Sequence, residues 1–244
     1  LDLCFGLGYN SACLLEEIFK TSINLNWWGL EIDQRPITTA LNNPNFKQSW
    51  EPSILEILES INNSGKWQNK ANNGKVFWGD ARKQISVIPK SIFFDVIFHD
   101  AFSPSKCPQL WSEEFLFKLS RRLAPNGGLI TYSSSAAVRS SLKRAGLIIK
   151  STIPLNNNEG KWSNGTVAIL SDKRKRNKNN SKYWRELSEM EEEHLLTKAA
   201  IPYRDPHGNG SPREIIQRRI LEQQKSNLSS TSSWRKRWKK LLSS

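Results

Sequence analysis

Along the first 170 positions, apolar residues recur in two alternating periods. Short apolar runs of strand length give way to stretches in which apolar residues return every three or four positions, as on one face of a helix. Leu1–Phe5 reads as a strand, Gly6-Leu7-Gly8 as a bend, and Asn10 to Lys20 as a helix. Asn26–Ile32 is a second strand, followed by a helix over Arg35–Leu41 that Pro36 starts. The run EPSILEILESI, residues 51–61, has helical spacing with Pro52 in its first turn. The polar stretch Asn62–Gly74 is predicted as a surface loop, and Lys75–Gly79 and Phe93–His99 as strands three and four. Leu110–Leu123 is amphipathic and stops at Ala124-Pro125-Asn126-Gly127-Gly128, and Leu129–Ser133 is strand five. A helix over Ala136–Ala145 is closed by Gly146, and Leu147–Ile153 and Thr166–Ser171 are the last strands, joined by the polar loop Asn156–Gly165.

Strands separated by helices pair in parallel, in a sheet covered on both faces. The final two have no helix between them and should form an antiparallel hairpin. The expectation is therefore an α/β, Rossmann-like fold with a mostly parallel seven-stranded sheet and an antiparallel last strand.

After Ser171 the pattern breaks. Residues 172–182 are a low-complexity basic linker, and 183–244 a helical, basic C-terminal extension whose end carries Trp234 and Trp238 four positions apart. The 244 residues carry a formal charge of +13, unevenly placed: 18 Lys/Arg against 14 Asp/Glu before residue 171, and 18 against 9 from there on. Such a bias suits a phosphate-rich partner or a solvated tail. Arg204, Arg218, Arg219, Arg235, Lys236, Arg237, Lys239 and Lys240 are the candidate phosphate contacts, while Trp234 and Trp238 read first as packing residues.

Three cysteines at irregular positions, Cys4, Cys13 and Cys107, argue against a disulfide framework and a structural zinc site and fit a reducing cytoplasm. Three histidines make a histidine metal site a poor expectation. No apolar run approaches the roughly 20 residues of a membrane span. A strand opening on Leu1, with no initiator before it, is expected to be a piece cut from a longer chain, which leaves a leader undecided.

The chemistry-bearing residues fall at predicted strand ends, where open α/β sheets bind ligands. In LDLCFGLGYNSA, Gly6 and Gly8 let the backbone turn tightly before a helix whose first N–H groups are free to meet a ligand, or simply make a tight turn. Glu31 ends the second strand, 23 residues after Gly8, where an acid can accept two ribose hydroxyls and repels a ribose phosphate. Asp33 is the other acid within reach. Asp80 ends the third strand and suits an exocyclic amine, with the Ala81 N–H beside it, or a helix cap. Asp100 closes the fourth strand at the switch point, and Ser103-Pro104 and Cys107-Pro108 stiffen the loop behind it. Phe102, Pro104 and Trp111 are candidate substrate contacts, the aromatics alternatively belonging to the core; His99 reads as structural.

The stretch from Asp95 to Leu147 carries a strand-end Asp, Ala-Phe-x-Pro, Pro-x-x-Trp, a Pro-x-Gly-Gly turn and Ser-x-x-x-Val-Arg before a Gly-terminated helix. It resembles the methyltransferase half of the bifunctional tRNA wobble-uridine enzyme MnmC, over about residues 1–155. That resemblance implies a class I methyltransferase using S-adenosyl-L-methionine to methylate the 5-aminomethyl group of a wobble uridine, with tRNA as partner. The family's functional positions fall on Gly6, Gly8, Glu31, Asp80 and Asp100, and its motif Asn on Asn10, counted here with Ala81 among the cofactor contacts. The flavin oxidase half has no counterpart in this sequence, so a stand-alone methyltransferase is expected. Cys4 replaces the motif's first glycine, and EGKWSNGT stands where the family carries a basic segment. An aminopropyltransferase of the polyamine type and a non-catalytic tRNA-binding module are the competing readings, with a nicotinamide dehydrogenase behind both.

Overall fold

The computed structural model describes residues 1–153, 165–170 and 182–242. The predicted linker 172–182, apart from Lys182, and most of the 156–165 loop with EGKWSN therefore lie outside the described residues. The chain divides into two compact units, Leu1–Ser91 with Ile97–Ala101, and Ile92–Val96 with Phe102–Ser244.

The first unit contains β1 (Asp2–Leu3), α1 (Tyr9–Phe19), β2 (Asn26–Glu31), α2 (Arg35–Leu41), α3 (Pro44–Gln48), α4 (Pro52–Ser64), β3 (Lys66–Asn69), β4 (Asn72–Trp78) and α5 (Ala81–Gln84), with the latter half of β5 (Phe94–His99). Its strands lie in the order β3-β4-β2-β1-β5. The β4-β2-β1-β5 pairings are parallel, as strands joined by helices must be. In α4, Pro52 opens the first turn, Ile54, Ile57, Leu58 and Ile61 form the buried stripe, and Gly65 ends the helix at φ 69°. The stripe packs with Leu15, Ile37, Trp27 and Trp67 in the unit's core. Two strand glycines make room for those indoles: a Cβ on Gly29 would lie 2.4 Å from Trp27, and one on Gly74 2.1 Å from Trp67.

The structure replaces the loop expected over 62–74. Residues 62–64 extend α4, and 66–78 form the antiparallel hairpin β3–β4, turning at Lys70 with φ 53°. The hairpin is polar because β3 is an edge strand: Lys66 and Gln68 are exposed on one face and only Trp67 is buried on the other, so the alternation is too short to read.

The second unit adds α6 (Glu113–Ser120), β6 (Leu123–Thr131), α7 (Ala136–Arg144), β7 (Leu147–Thr152), β8 (Thr166–Leu170), β9 (Trp184–Glu186), α8 (Glu189–His194), α9 (Pro212–Lys225) and α10 (Thr231–Leu242). The strand order is β5-β6-β8-β7-β9, with β8 antiparallel to both neighbours, so the predicted final hairpin is present. Nine strands of mixed direction thus stand where seven were expected. The extra ones are β3 and β9, both antiparallel edge strands. β6 starts earlier than the sequence suggests, at Leu123, with Asn126 at φ 66° inside it. The helix expected over 110–123 is shorter, because Ser112 caps it at Phe115 N–H and Pro108–Trp111 form a separate 3-10 turn.

The extension is built into this unit. β9 adds to β7, and the Ser188/Glu191 capping box starts α8. Arg139, from the Val-Arg motif on α7, is buried. Its Nη1 donates to Glu191 Oε1 (2.9 Å), its Nε to Thr166 Oγ1 (2.9 Å) and its Nη2 to Ser151 Oγ and the Gly165 carbonyl (both 3.0 Å). Ser151 also donates to Glu191, and Arg185 reaches its other oxygen at 2.6 Å. Burial alone would raise the Glu191 pKa, but these hydrogen bonds hold it down at about 2.

Candidate active site

The first unit brings its candidate residues to the carboxyl ends of its parallel strands. β1 lasts two residues and then bends through three left-handed backbone positions, Cys4 (φ 62°), Gly6 (φ 53°) and Gly8 (φ 92°). Glycine meets this requirement freely; Cys4 does not, since its Cβ crowds the following carbonyl. Gly8 caps α1 by accepting from the Ala12 N–H at 2.8 Å. A Cβ placed on Gly6 would meet nothing closer than 3.9 Å, so open space lies against the bend.

Glu31 is 6% exposed at the end of β2. Its Oε2 accepts the Gly6 N–H at 3.1 Å, and its Oε1 accepts Ile32 N–H at 2.7 Å and Asp33 N–H at 3.1 Å. The carboxylate therefore pins the glycine bend to the neighbouring strand. A carboxylate has about four acceptor positions, so about one remains for a ribose hydroxyl in this arrangement. Asp33, the alternative acid, is turned outward into a fork with Arg35.

Asp80 caps α5, accepting Arg82 N–H at 2.9 Å, and its oxygens also meet the Arg82 guanidinium. Partial burial raises its pKa, and the Arg82 bonds outweigh that and hold it below the ordinary value. The cap and the ion pair are thus both present, and Ala81 follows with its N–H in the helix's open first turn.

Asp100 follows β5, its N–H donating to the Leu3 carbonyl at 3.1 Å. Its Oδ2 accepts from Asn10 Nδ2 at 2.9 Å. Asn10 is the second residue of α1, so the glycine bend sets the position of the amide that holds Asp100. Burial raises the Asp100 pKa, opposed by the Asn10 bond. Sequence reasoning placed Asn10 with the cofactor; its visible contact is to this carboxylate.

Reading along the sequence also missed Asp2, which is fully buried and accepts Ser11 Oγ–H at 2.6 Å. Burial drives it to about 6 against the opposing Ser11 bond. An acid inside the apolar run LDLCF was the available signal.

Trp111 is a correction. It is 0% exposed, packs edge-on against Tyr132, and donates Nε1–H to the Phe102 carbonyl at 2.7 Å. It fixes the loop from the interior and presents no face to a substrate. Phe102 is 79% exposed, and Pro104 is intermediate.

The extension's arginines are largely engaged at home. Arg204 pairs with Glu114 (2.7 Å), Arg218 donates to the Arg204 carbonyl (2.6 Å), and Arg219 donates to the Ile201 and Ala199 carbonyls while lying over Tyr203. Trp234 is 2% exposed and stacked on His194 at 4.4 Å; Trp238 donates to Glu193, which also meets Arg237. Arg235, Lys236 and Lys239 remain exposed, and the Lys240 side chain lies outside the described residues. Among the described residues no cluster of three metal-ligating side chains occurs, and no helix is long and apolar enough to cross a membrane.

A bend of left-handed glycines follows β1, acids close the three other strands of the parallel set β4-β2-β1-β5, and a reversed strand lies between β6 and β7. The sequence profile of the S-adenosyl-L-methionine-dependent methyltransferase family matches residues 44–168. The chain belongs to that family.

An uncharacterized protein of Methanocaldococcus jannaschii is 30% identical over 230 residues, covering 92% of this chain and 59% of that protein. The tRNA 5-methylaminomethyl-2-thiouridine biosynthesis bifunctional protein MnmC of Pseudomonas fluorescens is 36% identical over 161 residues, 61% of this chain and 24% of that one. The crystal structure of MnmC2 from Aquifex aeolicus superposes with a TM-score of 0.72 at 29% identity, covering 92% of this chain and 67% of that one. The matches covering 92% take in most of the segment after residue 171, which the 61% match does not need. The chain spans 59% of the length of one of these curated relatives and 24% of the other, and its family-level character is that of a methyltransferase related to MnmC and MnmC2.

The residues present fit S-adenosyl-L-methionine. The space against Gly6 admits a ligand to the backbone, Glu31 lies beneath that bend with an acceptor position left, and the Asp100 carboxylate stands beyond it. Gly6, Gly8, Glu31, Asp80 and Ala81 would hold the nucleoside end, and Asn10 would act through Asp100.

Proposed function

We propose that this protein transfers a methyl group to the 5-aminomethyl group of a wobble uridine in tRNA, giving 5-methylaminomethyluridine. The observation that carries the reading is the Asn10–Asp100 pair: a solvent-accessible carboxylate, held by one oxygen, at the end of the strand next to the glycine bend. The tRNA is taken from the MnmC relatives, which are tRNA 5-methylaminomethyl-2-thiouridine biosynthesis proteins.

When bound, S-adenosyl-L-methionine supplies a methyl on a sulfonium, whose sulfur leaves without needing a proton. The protein's part is then alignment and charge. Asn10 holds Asp100 Oδ2, leaving Oδ1 to accept a hydrogen bond from an N–H of the incoming neutral amine and so direct the nitrogen lone pair. As the N–C bond forms and positive charge grows on nitrogen, the carboxylate stabilises it, and the ammonium proton then passes to water. An ordinary Asp, with a pKa of about 3.9, is a poor base for an alkylammonium, so Asp100 is assigned orientation and charge stabilisation.

Incubation with undermodified tRNA and S-adenosyl-L-methionine, followed by nucleoside mass spectrometry, tests the reading. A cofactor- and time-dependent gain of one methyl on 5-aminomethyluridine supports it. Cofactor binding with no methylated nucleoside removes it.

A further inference from the structure

One sheet face of the first unit has no part in the site above. Register places Trp28, Lys75 and Lys66 in one row across β2, β4 and β3, and Asn73 and Gln68 in the next, all on the same side. Together they border a cavity of about 460 Å³, within the range of ligand pockets. The intervening row, Trp27, Gly74 and Trp67, also lines it; the two indoles belong to the other face of the sheet and Gly74 has no side chain, so this row offers backbone.

The chemistry of this face is specific. The Trp28 indole stacks on Phe77 with centroids 5.7 Å apart and planes within 4°. Lys75 Nζ sits 4.6 Å above the Phe77 ring. Lys66 and Lys75 are both exposed, and neither is paired with a carboxylate among the described residues. No Asp or Glu occupies this face in β2, β3 or β4: the one acid in these strands is Glu31 of β2, which register puts on the opposite side. Asn73 keeps an amide oxygen while its nitrogen donates to Asn26 at 2.7 Å. A flat aromatic surface, two uncompensated cations and free amide edges on a sheet match an unpaired nucleotide: base on indole, phosphate on ammonium, base edge on amide. Three arginines of the extension that charge alone would nominate, Arg204, Arg218 and Arg219, are bonded to their own chain, as these lysines are not.

We infer that this face docks a single-stranded nucleotide of the tRNA substrate, away from the reacting base. Trp28 lies three residues before Glu31 on one strand, roughly 10 Å at the strand rise, so both sites fit on one RNA. The inference rests on the tRNA reading above for its partner.

The test measures binding apart from chemistry. Fluorescence anisotropy with a labelled, unmodified tRNA transcript compares wild type, Lys66→Ala/Lys75→Ala and Trp28→Ala from about 50 to about 300 mM salt, with S-adenosylhomocysteine titrations and thermal melts as controls. The lysine pair sits on an exposed surface, so it keeps the test valid if Trp28→Ala melts early. The double variant should weaken tRNA binding about tenfold or more and flatten the log–log salt slope by about 1.4, roughly 0.7 per single-strand phosphate contact, with S-adenosylhomocysteine affinity unchanged. Unchanged tRNA affinity and slope would overturn the inference, as would a double variant that dissolves a dimer while RNA binding persists. If binding falls as stated but no methylated nucleoside forms in wild type, the docking face stands and the catalytic reading fails; if methylation proceeds with the double variant's affinity intact, the reverse holds.

Discussion

Replacing Glu31 with Gln separates a structural pin from a cofactor ligand. In the native arrangement the carboxylate accepts three backbone N–H groups, one on Oε2 and two on Oε1, at a position almost closed to water. A glutamine keeps one acceptor oxygen and brings an NH2. Turned to serve Ile32 and Asp33, it sets two donors against each other at Gly6. One buried donor left unmatched costs about 1–3 kcal/mol, to be read as a lower midpoint in urea unfolding without cofactor. A ribose hydroxyl bonded to the carboxylate adds a second loss, since hydrogen bonds to charged groups contribute about 1.5–3 kcal/mol, or roughly 10- to 150-fold in affinity. Calorimetric titration with S-adenosylhomocysteine below the unfolding range reads that part alone. A variant that is destabilised but binds S-adenosylhomocysteine within twofold of wild type would show that Glu31 only ties the bend to β2, and would refute its assignment to the ribose.

Further outcomes follow from the same geometry. Asp100→Asn should lower methyl transfer at least a hundredfold while S-adenosylhomocysteine affinity stays within a few-fold, and Asn10→Ala should give an intermediate loss; undiminished turnover in either would remove that residue's role. Arg139→Met should cost about 3–5 kcal/mol in urea unfolding by taking from Glu191 its buried cation and leaving only the partly exposed Arg185, and adding Glu191→Leu should recover much of it; a single substitution costing under 1 kcal/mol would contradict the buried network. Acid should loosen the second unit in two steps. His194, packed on Trp234, is held at about 4 by burial and then by the Arg139 and Arg235 charges, below its ordinary 6.5, so its contribution is full above pH 6.5 and lost as pH falls through 4. Glu191, held at about 2 against 4.5, adds a loss below pH 4.5; His194→Phe should flatten only the upper step in unfolding free energy against pH. Cys4→Gly should raise stability by about 0.5–1 kcal/mol in urea, since relief of a left-handed strain of roughly 1–2 kcal/mol exceeds the added freedom of glycine in the unfolded chain.

The parts of the site that could be read from sequence are those carried by local signals. Glycines at a strand–helix bend and acids closing apolar runs have few structural explanations, and the parallel strands of the first unit follow from period alone. The β3–β4 hairpin was missed because an edge strand with one buried residue, Trp67, looks like a polar loop. The same blindness hid the Trp28–Phe77 face, which exists only once Phe77 is brought across from another strand. Trp111 shows the converse limit: beside a Pro-rich loop, an aromatic reads identically whether it faces substrate or fills the core. In the extension, charge suggested nucleic acid where the fold uses Arg204, Arg218 and Arg219 as internal hydrogen-bond donors. Arg139 and Glu191 are 52 residues apart, and nothing local announces their pairing.

The central claim is that the methyl donor lies across the strand ends with its reactive carbon facing Asp100. A crystal structure with S-adenosylhomocysteine tests it most directly. The account predicts a ribose hydroxyl on Glu31, the adenine beside Asp80 and Ala81, and the sulfur turned toward the Asp100 carboxylate still held by Asn10. A ligand bound elsewhere, or with its sulfur directed away from Asp100, would contradict it.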